Sequence, residues 1–128
     1  MSFKNIRLMP TPEEIKKMEP ISPELKAIKD ENDKQLKDIF TGKDNRFVVI
    51  VGPCSADDGE AVCDYMRRLN EVKKQVADKM FIVPRVYTGK PRTTGEGYKG
   101  MMHQPDPEGA PNMVEGIKAM TSDAMKLV

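Results

Sequence analysis

Cysteine is scarce in this sequence: there are two, Cys54 and Cys63. Their spacing fits neither a metal knuckle nor a CxxC redox pair. With a helix starting at about residue 58, the two fall on different elements. A structural disulfide is therefore not expected, and a reduced, cytosolic setting is. Long apolar runs are missing too. No stretch approaches the roughly 18 apolar residues of a bilayer-crossing helix. The start, Met1-Ser2-Phe3-Lys4-Asn5, lacks the apolar segment of a secretory signal. Nor does one sign of charge dominate: 21 Lys and Arg meet 20 Asp and Glu, for a formal net charge of +1. Without an extended basic run, neither nucleic acid nor a membrane is the expected partner, although a local anion pocket is allowed. There is no internal repeat and no low-complexity tract.

Residues 1–45 read as a polar leader with two helices. Thr11-Pro12-Glu13-Glu14 is a helix start: Thr11 caps, Pro12 suits the first turn, and Glu14 closes a capping box. Ile15 and Met18 give this helix a thin apolar edge, and Pro20 ends it. So short a helix must dock on its own domain or on a partner subunit. Ser22-Pro23-Glu24 repeats the start signal. Leu25, Ile28, Leu36, Ile39 and Phe40 then recur near helical spacing up to a stop at Gly42.

Arg46 to Val51 is an apolar run without alternation, the pattern of a strand covered on both faces. Asp57-Asp58-Gly59-Glu60 opens the next helix, with Asp57 as the expected cap and Glu60 as its reciprocal partner. Ala61, Val62, Tyr65, Met66, Leu69, Val72 and Val76 form its expected inner face, and Cys63 packs near it. Met80 to Val86 reads as a second strand. Strand, helix and strand at this spacing make a βαβ unit with a right-handed crossover. Residues 88–111 are rich in glycine and proline and read as a long loop, of a length that is often functional. Asn112-Met113-Val114-Glu115 begins a last helix with another capping box, extended by Ile117, Met120, Ala124 and Leu127.

Chemically capable groups fall where each strand ends, the place at which βα architectures build their sites. Gly52-Pro53-Cys54-Ser55 follows the first strand. A thiolate there can ligate a metal or attack carbon, and the competing reading is a small buried hydrophobe. After the second strand come Arg85, Lys90 and Arg92. A guanidinium fork with a point charge suits a phosphate or carboxylate, and Thr93 and Thr94 add hydroxyl donors. The competing reading is a solvated basic turn. Lys90-Pro91-Arg92-Thr93-Thr94-Gly95 lacks the order of a nucleotide-binding P-loop. His103, Asp106 and Glu108 are possible metal donors in the loop, but nothing in the sequence fixes them near Cys54. Tyr87 and Tyr98 are candidates to line a pocket, with ordinary loop packing as the alternative.

Four blocks taken together, GPCS, PRVY, KPRTTG and Gly97-Tyr98-Lys99-Gly100, resemble the beginning of the type I 3-deoxy-D-arabino-heptulosonate 7-phosphate synthases. The resemblance covers nearly the whole chain. It implies the N-terminal portion of a (β/α)8 barrel: a helical leader over residues 1–45, then two strand–helix units over residues 46–128, with an active-site loop at 88–111. It also implies an enzyme of the shikimate pathway that condenses phosphoenolpyruvate with erythrose 4-phosphate. Carbon 3 of phosphoenolpyruvate attacks the aldehyde, water adds at carbon 2, and phosphate leaves. On this resemblance Cys54 corresponds to a ligand of a divalent metal ion (Mn, Fe, Co or Zn). Arg85 and Lys90 are implied as catalytic groups at the phosphoenolpyruvate end. Arg92 and Thr93 are implied to hold erythrose 4-phosphate.

Two departures matter. Asp57 stands where the family usually has a histidine. The family's other metal ligands, a histidine, a glutamate and an aspartate, belong to later strands that these residues do not include. Two strands leave an open edge and an uncovered barrel-facing side. The expectation is a fragment inactive by itself: one part of a split enzyme, a remnant of an interrupted gene or a truncated gene model, or a chain missing its second part. The implied partners are a complementary C-terminal chain or a homo-oligomer. The alternative function is a non-catalytic assembly or regulatory fragment that docks through its leader helices.

Overall fold

A computed structural model describes residues 8–90 and 92–126. The first residues of the leader, Pro91 of the basic stretch and Leu127 of the final apolar stripe lie outside the described residues. The element order is α1 (Pro12–Met18), α2 (Pro23–Phe40), β1 (Phe47–Val51), α3 (Gly59–Gln75), β2 (Met80–Pro84) and α4 (Met113–Lys126).

Local chemistry sets most of the boundaries. Thr11 and Glu14 form the expected capping box at α1: the Thr11 hydroxyl accepts from the Glu14 N–H, and the Glu14 carboxylate accepts from the Thr11 N–H. The Ser22 hydroxyl accepts from the Leu25 N–H at the start of α2. Beyond α2, the Gly42 N–H donates to Ile39 and the Lys43 N–H to Asp38, which closes the last turn. At α3 the cap is Asp58, not Asp57. One Asp58 carboxylate oxygen accepts from the N–H groups of Glu60 and Ala61, at 2.8 and 3.1 Å. The physical reason is register: these are the orphan donors of the first turn, and they lie two and three residues after Asp58.

β1 and β2 pair in parallel, from Phe47 opposite Met80 to Val51 opposite Pro84. α3 packs on β2 and on α4, and α2 packs on β1. Regular pairing stops at Pro84, two residues short of the expected Val86, because its partner β1 ends at Val51 and the chain turns away at Gly52-Pro53. The Arg85 N–H still donates to Val51, at 2.9 Å. The expectation of a doubly covered β1 is not met. Phe47 is 75% exposed and Ile50 is 68% exposed, and they lie on opposite faces of the strand. Two strands and the helices around them do not enclose both faces.

The core sits over the far ends of the strands. Ala56, Val62, Met66 and Met101 are buried together, with Leu69, Val86, Ala119 and Met120 packed around them. The α3 stripe thus reaches the core through Val62 and Met66, and Cys63 is buried beside them. Ala61, Tyr65 and Val72, also expected inside, are exposed. A 17-residue helix crossing a two-stranded sheet covers only part of its own apolar stripe.

At the opposite ends of the strands, Arg46 ties the pieces together. Its guanidinium pairs with Asp44, donates to Gln35 of α2 at 2.9 Å and to the Ala77 carbonyl at 3.3 Å, and lies 5.6 Å from the Phe81 ring centre. One side chain therefore links α2, the approach to β1, the α3–β2 turn and β2.

Candidate functional site

The turn after β1 and the segment after β2 run side by side. Gly52 lies so near Arg85 that a Cβ on it would sit 1.9 Å from the Arg85 carbonyl oxygen. The Arg85 guanidinium folds back over this turn and donates to the Pro53 carbonyl at 2.9 Å. It also stacks 5.3 Å from the Tyr87 ring centre. Two residues past Cys54, the Ala56 N–H donates to the Tyr87 carbonyl at 3.0 Å, and Ala56 is fully buried. The Cys54 turn is thereby laced to the extension of β2. Its thiol is exposed and free, whereas Cys63 is buried and free. The small-hydrophobe reading of Cys54 does not hold here, because the Gly-Pro turn carries it off the end of the sheet.

The long loop is closed by its own backbone. The Lys90 N–H donates to Lys99 at 2.8 Å, and the Met102 N–H donates to Thr88 at 3.0 Å. Gly100 permits this, with φ of +97° and a virtual Cβ only 2.3 Å from the Thr88 oxygen. Lys90 is half-buried at the base, while Arg92 and Thr93 are exposed toward the tip. The Arg92 Nε–H donates to the Tyr98 carbonyl at 3.0 Å. The Tyr98 hydroxyl donates in turn to the Ala56 carbonyl, a long bond of 3.4 Å. Burial holds the Tyr98 phenol above its ordinary pKa, and the nearby Asp57 carboxylate adds to the effect.

The cation-bearing segments and the cysteine turn therefore meet at one end of the parallel pair. Arg85 touches the Cys54 turn directly, and Arg92 reaches it through Tyr98. Among the described residues His103, Asp106 and Glu108 form no three-donor cluster with one another or with Cys54. Asp106 closes its own turn by accepting from the Glu108 N–H at 3.0 Å, and the His103 carbonyl accepts from Asn112 at 2.9 Å. Among the described residues no three His, Cys, Asp or Glu side chains are arranged to hold a metal ion. Cys54 offers one sulfur donor, and one thiolate does not make a tight divalent site. The described residues thus do not fit a complete metal centre. Sequence reasoning missed the tie between Tyr98 and Ala56; its only signal was a tyrosine inside one of the four recognisable blocks.

Known proteins resemble this chain in sequence and in fold. The DAHP synthetase I family matches residues 19–125. The Tyr-sensitive phospho-2-dehydro-3-deoxyheptonate aldolase of Escherichia coli (strain K12) is 34% identical over 122 residues, covering 95% of this chain and 34% of the relative. A phospho-2-dehydro-3-deoxyheptonate aldolase of Corynebacterium glutamicum is 40% identical over 111 residues, covering 86% of this chain and 30% of the relative. The solved structure of the aldolase of the same name from Francisella tularensis SCHU S4 superposes with a TM-score of 0.86 at 27% identity, over 98% of this chain and 37% of that one. The chain spans about a third of the length of the curated relatives it matches. With most of its length matched by the family pattern, this chain belongs to the DAHP synthetase I family.

Proposed function

We propose that these residues form the first two strand–helix units of a (β/α)8 barrel. They would contribute one sector of a site that condenses phosphoenolpyruvate with erythrose 4-phosphate in aromatic amino acid biosynthesis. The observation that carries this reading is the convergence of the Cys54 turn, Arg85 and the loop bearing Lys90 and Arg92 at the carboxyl end of the parallel pair. Arg85 and Lys90 neutralise phosphoenolpyruvate and the charge that develops as its phosphate leaves. Arg92 and Thr93 hold the phosphate of erythrose 4-phosphate, so that its aldehyde faces carbon 3 of the enol at near-attack distance. Water then adds at carbon 2 and phosphate departs. Cys54 would be a sulfur donor to a divalent metal; among the described residues no cluster of three donors accompanies it, so the reading takes the remaining donors from further chain. The reading carries a cytosolic setting with it. Among the described residues no helix is long and apolar enough to cross a membrane.

A chimera tests this directly. Residues 1–128 replace the matched first third of the Escherichia coli relative, and phosphate release is followed with both substrates and added manganese. Turnover that falls at least a hundredfold in Arg85→Ala and Lys90→Ala is expected, at the scale of a lost transition-state contact. A cooperatively folding chimera without turnover would sink the proposal.

The exposure of Phe47 and Ile50 on β1 favours a second reading, an assembly chain that docks on a partner carrying further strands. In that case α1 and α2 serve as the oligomer segment. Co-purification with the remainder of the Escherichia coli relative, without turnover, would mark this outcome.

A further inference from the structure

We infer that Tyr98 is a positioning residue that couples the orientation of Arg92 to the Cys54 turn. The inference rests on the reading of Arg92 as the phosphate-holding arginine, and it adds a residue to which no role in that site has been given. Three features of the structure point to it. First, the two limbs that carry the loop tip are paired at their base, through the Lys90–Lys99 and Thr88–Met102 backbone bonds. Second, the Arg92 guanidinium lies beyond that base, and its Nε–H donates to the Tyr98 carbonyl at 3.0 Å. Third, Tyr98 is half-buried in an otherwise exposed stretch, and its hydroxyl reaches the Ala56 carbonyl 42 positions earlier.

The acceptor at the far end is well chosen for this. Ala56 is fully buried, and its own N–H is fixed on Tyr87. The tie therefore ends on the buried, backbone-bonded residue of the Cys54 turn. Tyrosine suits the task because its ring is stiff and its hydroxyl sits at the end of a long lever. Burial and the Asp57 carboxylate both disfavour the phenolate, so the hydroxyl stays a donor through the ordinary working pH range. Arginine gains from such a tie: once Nε is engaged, the plane of the fork is set, and both Nη groups remain free for a bidentate phosphate contact. Without it, the guanidinium of an exposed loop arginine samples many rotamers, and ordering them on binding weakens affinity.

The experiment has two readouts. In the 128-residue chain, water exchange of the Arg92 Nε–H is measured by nitrogen-15 NMR, with the signal assigned through Arg92→Lys. The parent should show slower exchange at Arg92 than at the exposed Arg67 and Arg68. Tyr98→Phe should speed Arg92 exchange about fivefold, the scale of one lost hydrogen bond. Tyr65→Phe, on the α3 surface, should leave it unchanged. In the chimera described above, Tyr98→Phe should raise KM for erythrose 4-phosphate about fivefold and leave KM for phosphoenolpyruvate unaltered. A merely structural tyrosine would lower the melting temperature without moving either the Arg92 signal of the folded protein or the ratio of the two KM values. Unchanged Arg92 exchange in Tyr98→Phe overturns the inference. So does an Arg92 signal in the parent that exchanges as fast as Arg67, including the case of a chain that does not fold. A chimera without turnover removes the synthase reading instead and leaves the coupling to be decided by the Arg92 signal.

Discussion

Gly52 and Arg85 share a space that admits no side chain: the Arg85 carbonyl oxygen would lie 1.9 Å from a Cβ on Gly52. This contact sets how closely the ends of β1 and β2 approach. It places the Arg85 guanidinium over the turn that carries Cys54. Gly52→Ala must push the two segments apart, and overpacking of this kind costs about 1–3 kcal/mol. Urea unfolding should show a lower midpoint at an unchanged slope. A midpoint equal to the parent's would mean that the strand ends separate freely.

The two thiols should differ sharply in access. Cys54 is exposed and Cys63 is buried on α3. An aromatic disulfide reagent should modify one equivalent of thiol quickly and the second only as urea opens the helix packing. Cys54→Ser should abolish the fast phase and Cys63→Ser the slow one. Two fast equivalents in water would contradict the burial of Cys63.

The isolated 128-residue chain should neither turn over phosphoenolpyruvate and erythrose 4-phosphate nor bind manganese tightly. Cys54 is one donor, and no cluster of three metal-binding side chains exists among the described residues. Displacing reacting groups by about 1 Å can already cost a hundredfold in rate, and an open two-stranded sheet exposes its charged groups to bulk water. Equilibrium dialysis and a phosphate-release assay check this. Metal-dependent turnover lost in Cys54→Ala would refute it.

Acid stability should respond to Asp44. Hydrogen bonds from the Arg46 side chain, and then from its backbone N–H, hold this carboxyl below the usual aspartate range. A depressed folded-state pKa stabilises the fold in full above the unfolded value of about 3.9, and that contribution is lost as the pH falls through the lower folded value. Asp44→Asn should therefore flatten the acid limb of a plot of urea midpoint against pH between about 2 and 5. Parallel acid limbs for parent and variant would show that Asp44 is not linked to folding.

Capping at α3 gives a local test. Asp58→Ala should cost about 1 kcal/mol of stability and Asp57→Ala much less, because only Asp58 accepts from the first-turn N–H groups. Thermal unfolding of the two variants decides between the adjacent aspartates.

Local rules made much of this molecule legible in its sequence. Thr11, Glu14 and Ser22 announce their helix starts by hydrogen bonds spanning three residues, and such bonds depend on little beyond the neighbouring chain. The two apolar runs declare strands because unbroken β-branched and aromatic residues need an apolar environment. Cys54, Arg85, Lys90, Arg92 and Thr93 stood out because reactive groups followed those runs. What the sequence left undecided were matters of distance between remote segments. Asp57 and Asp58 look alike as caps until the helix register orients one of them. Val86 ranks as a strand residue until the end of β1 at Val51 leaves it without a partner and the ladder stops at Pro84. A run such as Phe47–Val51 reads as covered on both faces, yet coverage belongs to whatever packs against it, and here Phe47 and Ile50 stay exposed. Likewise Tyr98 and Ala56 lie 42 residues apart, and only the folded chain brings a phenol to a carbonyl across that gap. Short-range hydrogen bonding and burial preference are written into adjacent residues, whereas the meeting of distant ones is set by how the elements pack.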